Sequence, residues 1–145
     1  MKAPKINYEP ETGITSYTIY YKNKEFTGIA QCHPDDQDMK SELTGTAIAE
    51  LRALKLYLKD ERDNNLKPQL KSVKQLYYAM NRSKKFNRKS YENIMLQRHI
   101  YNLEMDLEAV NEELAVLNQH LTQYIAEKEK VYQHLRKTNQ KDTDN

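Results

Sequence analysis

The feature that most constrains the fold is a heptad pattern in the last third of the chain. Apolar residues recur there at alternating spacings of four and three, which is the a/d seam of a coiled coil. With one polar interruption, at Lys128, the seam extends for about 60 Å at a rise of 1.5 Å per residue. We therefore predict one long helix over residues 90–136. The seam positions are Leu96, Ile100, Leu103, Leu107, Val110, Leu114, Leu117, Leu121, Tyr124, Lys128, Val131 and Leu135.

The length of this seam predicts self-association. The two helices that precede it in the chain are too short to cover all of it. A second copy of the same chain supplies a helix of matching length, so we expect a homo-oligomer. We assign the oligomer interface to Leu103, Leu107, Val110, Leu114, Leu117, Leu121 and Tyr124.

The first third of the chain has the composition of β-strands. Its segments are rich in β-branched and aromatic residues, which suit a pleated surface. Alternation along the second segment places Tyr17, Ile19 and Tyr21 on one face. We predict a small antiparallel β-meander over residues 5–32. The three strands are KINYE, ITSYTIYY and EFTGIAQC, joined by turns at PETG and KNK.

Two further helices are predicted between the sheet and the long helix, over residues 39–63 and 67–81. Apolar residues recur at helical spacing in both segments, and Pro68 suits the first turn of the second one. The tail over residues 138–145 has no apolar residue and is predicted to be disordered. The predicted fold is therefore α+β, a single domain over residues 1–137 with a β-meander followed by three helices.

The stretch GIAQCHPDDQD concentrates groups that enzymes and metals use: Cys32, His33, Asp35, Asp36 and Asp38. Zinc ligands are usually two or more residues apart, whereas the cysteine and histidine here are adjacent. A neighbouring histidine in sequence also rarely has the geometry to activate a thiol. We favour a strand end followed by an acidic helix cap. We expect no catalytic residue, no metal and no cofactor.

A basic segment between the second and third helices is the strongest candidate site. Cations suit phosphate oxygens, an aromatic face suits a stacked base, and asparagine can pair with a base edge. A solvated loop with one anchoring phenylalanine is the alternative. Arg52 is included as a candidate, although its position is also typical of a surface or interface arginine. The candidate ligand-binding residues are Tyr77, Lys84, Lys85, Phe86, Asn87, Arg88, Tyr91, Arg98 and Arg52.

Charge and hydropathy exclude several broad classes. The chain has 23 basic and 21 acidic residues, so we expect no stable nucleic acid partner. It has no run of about 20 apolar residues to span a membrane and no apolar N-terminal stretch typical of a secretory signal. A single cysteine forms no internal disulfide, which fits a reducing cytosol.

Two stretches resemble a known family. They are KEFTGIAQCHPDDQDMKSELTGTAIAELRA and LYYAMNRSKKFNRKSYENIMLQRHIYNLE. Their distinctive pieces, GxAxCHPDD, IAExRA and KxFNxKSYE, are similar to the first-described type of phage Thoeris anti-defence protein, a sponge for immune signals. The similarity covers residues 17–135, most of the chain.

The resemblance implies a function and an assembly. Members of that family are not enzymes: they bind the cyclic ADP-ribose isomer made by a TIR protein of the defence system and keep it, unaltered, from the effector. They form dimers and larger oligomers, commonly hexamers, with the ligand between subunits, and some also hold cyclic oligonucleotides. The expected location is the cytoplasm of the infected bacterial host. Two other hypotheses stay open, a helical phage protein that inhibits a host effector by direct protein or nucleic-acid binding, and an enzyme that uses Cys32 and His33.

Overall fold

A computed structural model describes residues 2–31, 39–82 and 90–143. An antiparallel three-stranded sheet is followed by helices, which confirms the predicted α+β class. The chain divides into two compact units, Met1–Tyr57 with Val116–Asn145, and Leu58–Ala115. The elements are β1 (Lys5–Glu9), β2 (Ile14–Tyr21), β3 (Lys24–Gln31), α1 (Met39–Asp60), a π-helical segment (Glu61–Leu66), α2 (Lys67–Arg82) and α3 (Tyr91–Thr143).

The sheet has the order β1-β2-β3, with hairpins between neighbouring strands. Lys22 and Asn23 connect β2 to β3 with φ values of 48° and 63°. Positive φ at both residues of a two-residue loop is the geometry of a type I′ turn, whose twist matches that of the strands. Lys24, which the sequence places in the turn, already belongs to β3.

One face of the sheet packs against α1. Ile19 and Thr15 are buried on this face, while Tyr17 is half-buried beside a cluster that includes Ala49. Gly28 of β3 marks the closest approach, because a Cβ there would lie 1.9 Å from the Ala49 carbonyl oxygen. Glycine at this position therefore allows α1 to lie directly over β3. The other buried members of the cluster are Ala30, Ile48 and Leu121.

The predicted break between the first two helices is wrong. α1 continues through the π-helical segment into α2 without a loop. The backbone N–H of Lys67 donates to the carbonyl oxygen of Arg62, five residues earlier. Pro68 has no N–H, and in a regular α-helix its ring clashes with the carbonyl four residues earlier. A wider turn just before the proline lets the helix continue past it.

α3 is the long helix that the heptad pattern predicts, and it continues past the predicted end to Thr143. The tail over residues 138–145, which the sequence predicts to be disordered, is therefore helical as far as Thr143. Several seam leucines are already buried within one chain, and Leu121 packs in the cluster that α1 and β3 form. Covering them does not require a second subunit. The buried seam residues are Leu103, Leu114, Leu117 and Leu121.

The remaining interface candidates differ in exposure. Leu107 and Val110 are half-buried, and Tyr124 is 40% exposed. Their assignment to a subunit interface stays a prediction. Within the described ranges, no helix combines the length and the apolar character needed to cross a bilayer.

Candidate ligand-binding site

Three of the candidate residues, Tyr77, Tyr91 and Arg98, lie near one end of a helical hairpin in the second compact unit. Gln97 Nε2 donates to the Tyr77 hydroxyl at 3.3 Å, and Lys74 Nζ pairs with Glu104 Oε1 at 3.1 Å. Residues that come later in α3 thus meet residues that come earlier in α2, so the two helices run antiparallel. The basic segment of residues 83–89 connects the ends of these helices in sequence.

Tyr77 is fixed from several sides. Its carbonyl oxygen accepts a hydrogen bond from Asn81 Nδ2 at 2.7 Å. Its ring meets the ring of Tyr78 edge to face, with centroids 5.7 Å apart and an interplanar angle of 65°. The half-buried Tyr77 thus connects α2 to α3 through its bond with Gln97.

Ser90 caps the first turn of α3. The backbone N–H of Asn93 donates to Ser90 Oγ at 3.3 Å, and the N–H of Ile94 donates to the Ser90 carbonyl oxygen at 3.1 Å. Asn93 is completely buried. The cap and this buried side chain fix where α3 begins, immediately after the basic segment.

Tyr91 and Arg98 extend the basic–aromatic chemistry onto α3. Tyr91 is 72% exposed, and Arg98 is also exposed. They are seven residues apart, so they lie on one helix face with about 10 Å of rise between them. An aromatic ring and a guanidinium on one open face can stack on a base and bind a phosphate.

The central part of the predicted site lies outside the described residues. The structure therefore places Tyr77, Tyr91 and Arg98 in one helical hairpin. The residues outside the description are Lys84, Lys85, Phe86, Asn87 and Arg88.

Arg52 belongs to the first compact unit and has a structural role there. Its Nη1 donates to the backbone carbonyl oxygen of Ile29 at 2.6 Å, which connects α1 to β3. The partial burial expected from its apolar neighbours is observed. A guanidinium already bonded to a strand carbonyl has fewer donors left for a phosphate.

Gln97 and Asn81 are members of this region that the sequence did not single out. Gln97 supplies the bond to Tyr77, and the Oδ1 atom of Asn81 is buried without a hydrogen-bond partner among the described residues. A buried acceptor next to the basic segment is a position at which a donor from that segment or from a ligand would be stabilised. The one sequence signal was an asparagine in the last turn of an otherwise apolar-patterned helix.

A second concave surface lies on α3 in the first compact unit. It has a volume of about 260 Å³, and its described lining is His120, Gln123, Tyr124 and Glu127. This lining contains a carboxylate and no lysine or arginine. It therefore suits a polyanionic ligand less well than the basic hairpin end does.

The cysteine–histidine–aspartate cluster lies outside the described residues, from Cys32 to Asp38. Among the residues that are described, no group of three or more histidine, cysteine or acidic side chains is arranged to hold a metal.

Three ionisable side chains, Tyr17, Arg62 and Asp63, have pKa values displaced from their ordinary values. Burial, with a smaller contribution from Glu50, raises the pKa of Tyr17. The Arg62–Asp63 pair is joined at 2.8 Å, and this hydrogen bond raises the pKa of the arginine and lowers the pKa of the carboxylate. These groups belong to the sheet–helix core and to the π-helical segment.

Comparison with known proteins identifies no relative, since no family model, no curated protein and no solved structure matches this chain.

Proposed function

We propose that this protein belongs to the family of phage Thoeris anti-defence sponges and sequesters a cyclic ADP-ribose signal without degrading it. The observation that carries the proposal is the continuity of one chemistry along the chain. The cations and Phe86 of the basic segment are followed directly by α3, where Tyr91 and Arg98 are exposed on one face. This combination suits a ligand with a pyrophosphate and an adenine ring.

The cations and the aromatic rings of the candidate site would contact different parts of the ligand. Arg88, Arg98 and the neighbouring lysines would bind the pyrophosphate, since guanidinium groups bind phosphate oxygens in two-pronged geometry. Phe86 and Tyr91 would stack on the adenine. Asn87 would pair with its edge. Tyr77 would support the site from α2, where its hydroxyl accepts a hydrogen bond from Gln97.

Sequestration requires affinity for the ground state of the ligand and no special affinity for a transition state. A protein with the proposed function is therefore not an enzyme and needs no cofactor. It would act in the cytoplasm of the infected bacterial host, where the TIR signal is made. Assembly into dimers and larger oligomers, with hexamers as the family leads us to expect, would complete the site between subunits. Cyclic oligonucleotides are a further ligand class to be tested.

A second function is favoured by a different observation. The exposed face of α3 carries several large apolar side chains, which is typical of a protein-binding surface. Inhibition of a host defence effector by direct contact would use this face. The apolar residues concerned are Tyr91, Ile94, Met95, Tyr101 and Met105.

The decisive experiment is mass spectrometry of small molecules released by heat from the protein purified from cells that make the TIR signal. Release of an intact cyclic ADP-ribose isomer supports sequestration. A cleaved product supports an enzyme, and the Cys32→Ser variant then tests the cysteine–histidine hypothesis. An empty protein that co-purifies with a host effector supports direct inhibition. Calorimetry with cyclic oligonucleotides tests the second ligand class separately.

A further inference from the structure

β1 is one of the two edge strands of the described sheet. The opposite edge strand, β3, lies under α1, with Arg52 bonded to the carbonyl oxygen of Ile29 and Gly28 in contact with the helix backbone. β1 pairs only with β2 among the described strands, and its residues are exposed apart from half-buried Tyr8. Alternate N–H and C=O groups of an edge strand point away from the sheet and can pair with another strand.

The side chains of β1 are complementary to a second copy of β1. In an antiparallel pair centred on Asn7, the residue numbers of two opposing residues add up to 14. Lys5 then faces Glu9 of the other copy, and Ile6 faces Tyr8. Asn7 faces its own equivalent, and the sequence KINYE thus supplies a charge pair and an apolar pair on each side of a twofold axis.

The two faces of β1 agree with this pairing. Ile6 is opposite Tyr17 in the β1–β2 register, so it lies on the face that α1 covers further across the sheet. It is nevertheless 56% exposed, because α1 lies over β3 and does not cover β1. A Tyr8 from a second copy would cover Ile6. Lys5 and Glu9 lie on the opposite, solvated face, where a charge pair loses little hydration.

We propose that two copies of this chain join through their β1 strands and form one continuous antiparallel sheet. A twofold interface requires a surface that is complementary to itself, and residue-by-residue matching of charge and hydropathy about Asn7 meets this requirement. The match does not depend on which alternate backbone groups of β1 face outwards. Opposite residues are an even number of positions apart in the sequence, so the backbone groups of both point to the same side of the strand. Pairing through β1 requires no ligand and involves none of the residues of the α3 seam.

Cross-linking tests the geometry directly. Opposite Cβ atoms in an antiparallel pair are about 5 Å apart, close to the spacing of a disulfide. An Asn7→Cys variant, made in a Cys32→Ser background, is expected to form a covalent dimer on mild oxidation at micromolar concentration. Glu25→Cys, on the exposed face of β3, is the matched control. The proposal is overturned if Asn7→Cys cross-links no faster than Glu25→Cys.

Charge exchange tests the pairing partner. Lys5→Glu and Glu9→Lys each place like charges opposite one another twice per dimer. Each is expected to lower the rate at which the Asn7→Cys variant cross-links by about three- to tenfold. The double variant Lys5→Glu/Glu9→Lys restores opposite charges and should recover the original rate. Glu25→Lys makes a similar charge change on β3 and should leave the rate unaltered. A double variant no faster than the single ones, with an unchanged circular dichroism spectrum, contradicts the proposed pairing.

Discussion

Gly28 of β3 and Ala49 of α1 approach so closely that a Cβ on Gly28 would lie 1.9 Å from the carbonyl oxygen of Ala49 and 2.5 Å from the backbone nitrogen of Ala53. The atoms in the way are backbone atoms of a helix, which cannot rotate aside. α1 would have to move away from the sheet, and the packing of Ala49 and Ile48 against Ala30 would loosen.

We therefore predict that Gly28→Ala lowers the free energy of unfolding by about 2 kcal/mol or more, the upper part of the range for overpacked cores. Urea denaturation followed by circular dichroism measures the change. Glu25→Ala alters an exposed side chain of the same strand and should change stability by less than about 0.5 kcal/mol. Equal stability of the two variants would mean that α1 does not lie on Gly28.

The tyrosine on the covered face of the sheet predicts an alkaline loss of stability. The pKa of Tyr17 is raised from 10.0 by burial and by Glu50, so the folded state favours the neutral hydroxyl. This contribution is fully present below pH 10 and is lost as the pH rises through the raised value. Tyr17→Phe should flatten the decline of unfolding free energy between about pH 9 and 11. Parallel pH profiles for the variant and the parent would contradict the assignment.

Binding of a cyclic ADP-ribose isomer should depend on the cations of the hairpin end. Replacing Arg88 and Arg98 together by alanine is expected to weaken affinity at least tenfold, since each charge-assisted hydrogen bond contributes about 1.5–3 kcal/mol. Lys71→Ala/Lys130→Ala removes the same net charge from exposed positions elsewhere. Calorimetry compares the two double variants. The basic segment is excluded as the pocket if both retain the parent affinity.

Stacking is tested apart from charge. Phe86→Ala should weaken the same binding by about 1–3 kcal/mol, the range found when a base loses an aromatic neighbour. Phe86→Tyr keeps the ring and should retain most of the affinity. The size of the oligomer, measured by light scattering, should be the same for both variants, which separates loss of ligand from loss of assembly.

Self-association through α3 is best tested at an exposed seam position. Leu114 is buried within one chain, so Leu114→Asp would destabilise the fold itself. Tyr124 is 40% exposed and is the better target. Tyr124→Asp should reduce the oligomer mass in analytical ultracentrifugation without loss of helix. Gln119→Asp, on an exposed position of the same helix, is the control, and an unaltered mass for Tyr124→Asp would exclude the seam at that residue.

The strands could be predicted because their signals are local. Alternating β-branched and aromatic residues end at turn residues, and the predicted bounds of β1 and β2 agree with the structure. The predicted start of the long helix at residue 90 is also within one residue of the observed start, where the Ser90 hydroxyl caps the first turn.

Features that depend on contacts distant in sequence were harder to predict. Pro68 indicated a helix start, because proline disrupts the interior of a regular α-helix. The sequence alone does not show that a wider turn lets the helix continue past it. The heptad seam indicated a partner helix, but Leu121 packs in the cluster formed with α1 and β3. The bond from Arg52 to Ile29 was also absent from the prediction, since it joins residues 23 positions apart.

The π-helical segment has a consequence for the phase of the helix that contains it. Leu58 precedes this segment, and Leu66, eight positions later, is its last residue. Both are buried in the same compact unit. In an unbroken α-helix they would differ by about 80° in direction, whereas one residue absorbed by the wide turn brings them to within about 20°. The segment thus acts as a stored one-residue insertion. Deleting Asn64 would remove the inserted residue and convert the segment to a regular helix, with Leu66 and the α2 side chains after it in nearly the same direction relative to Leu58.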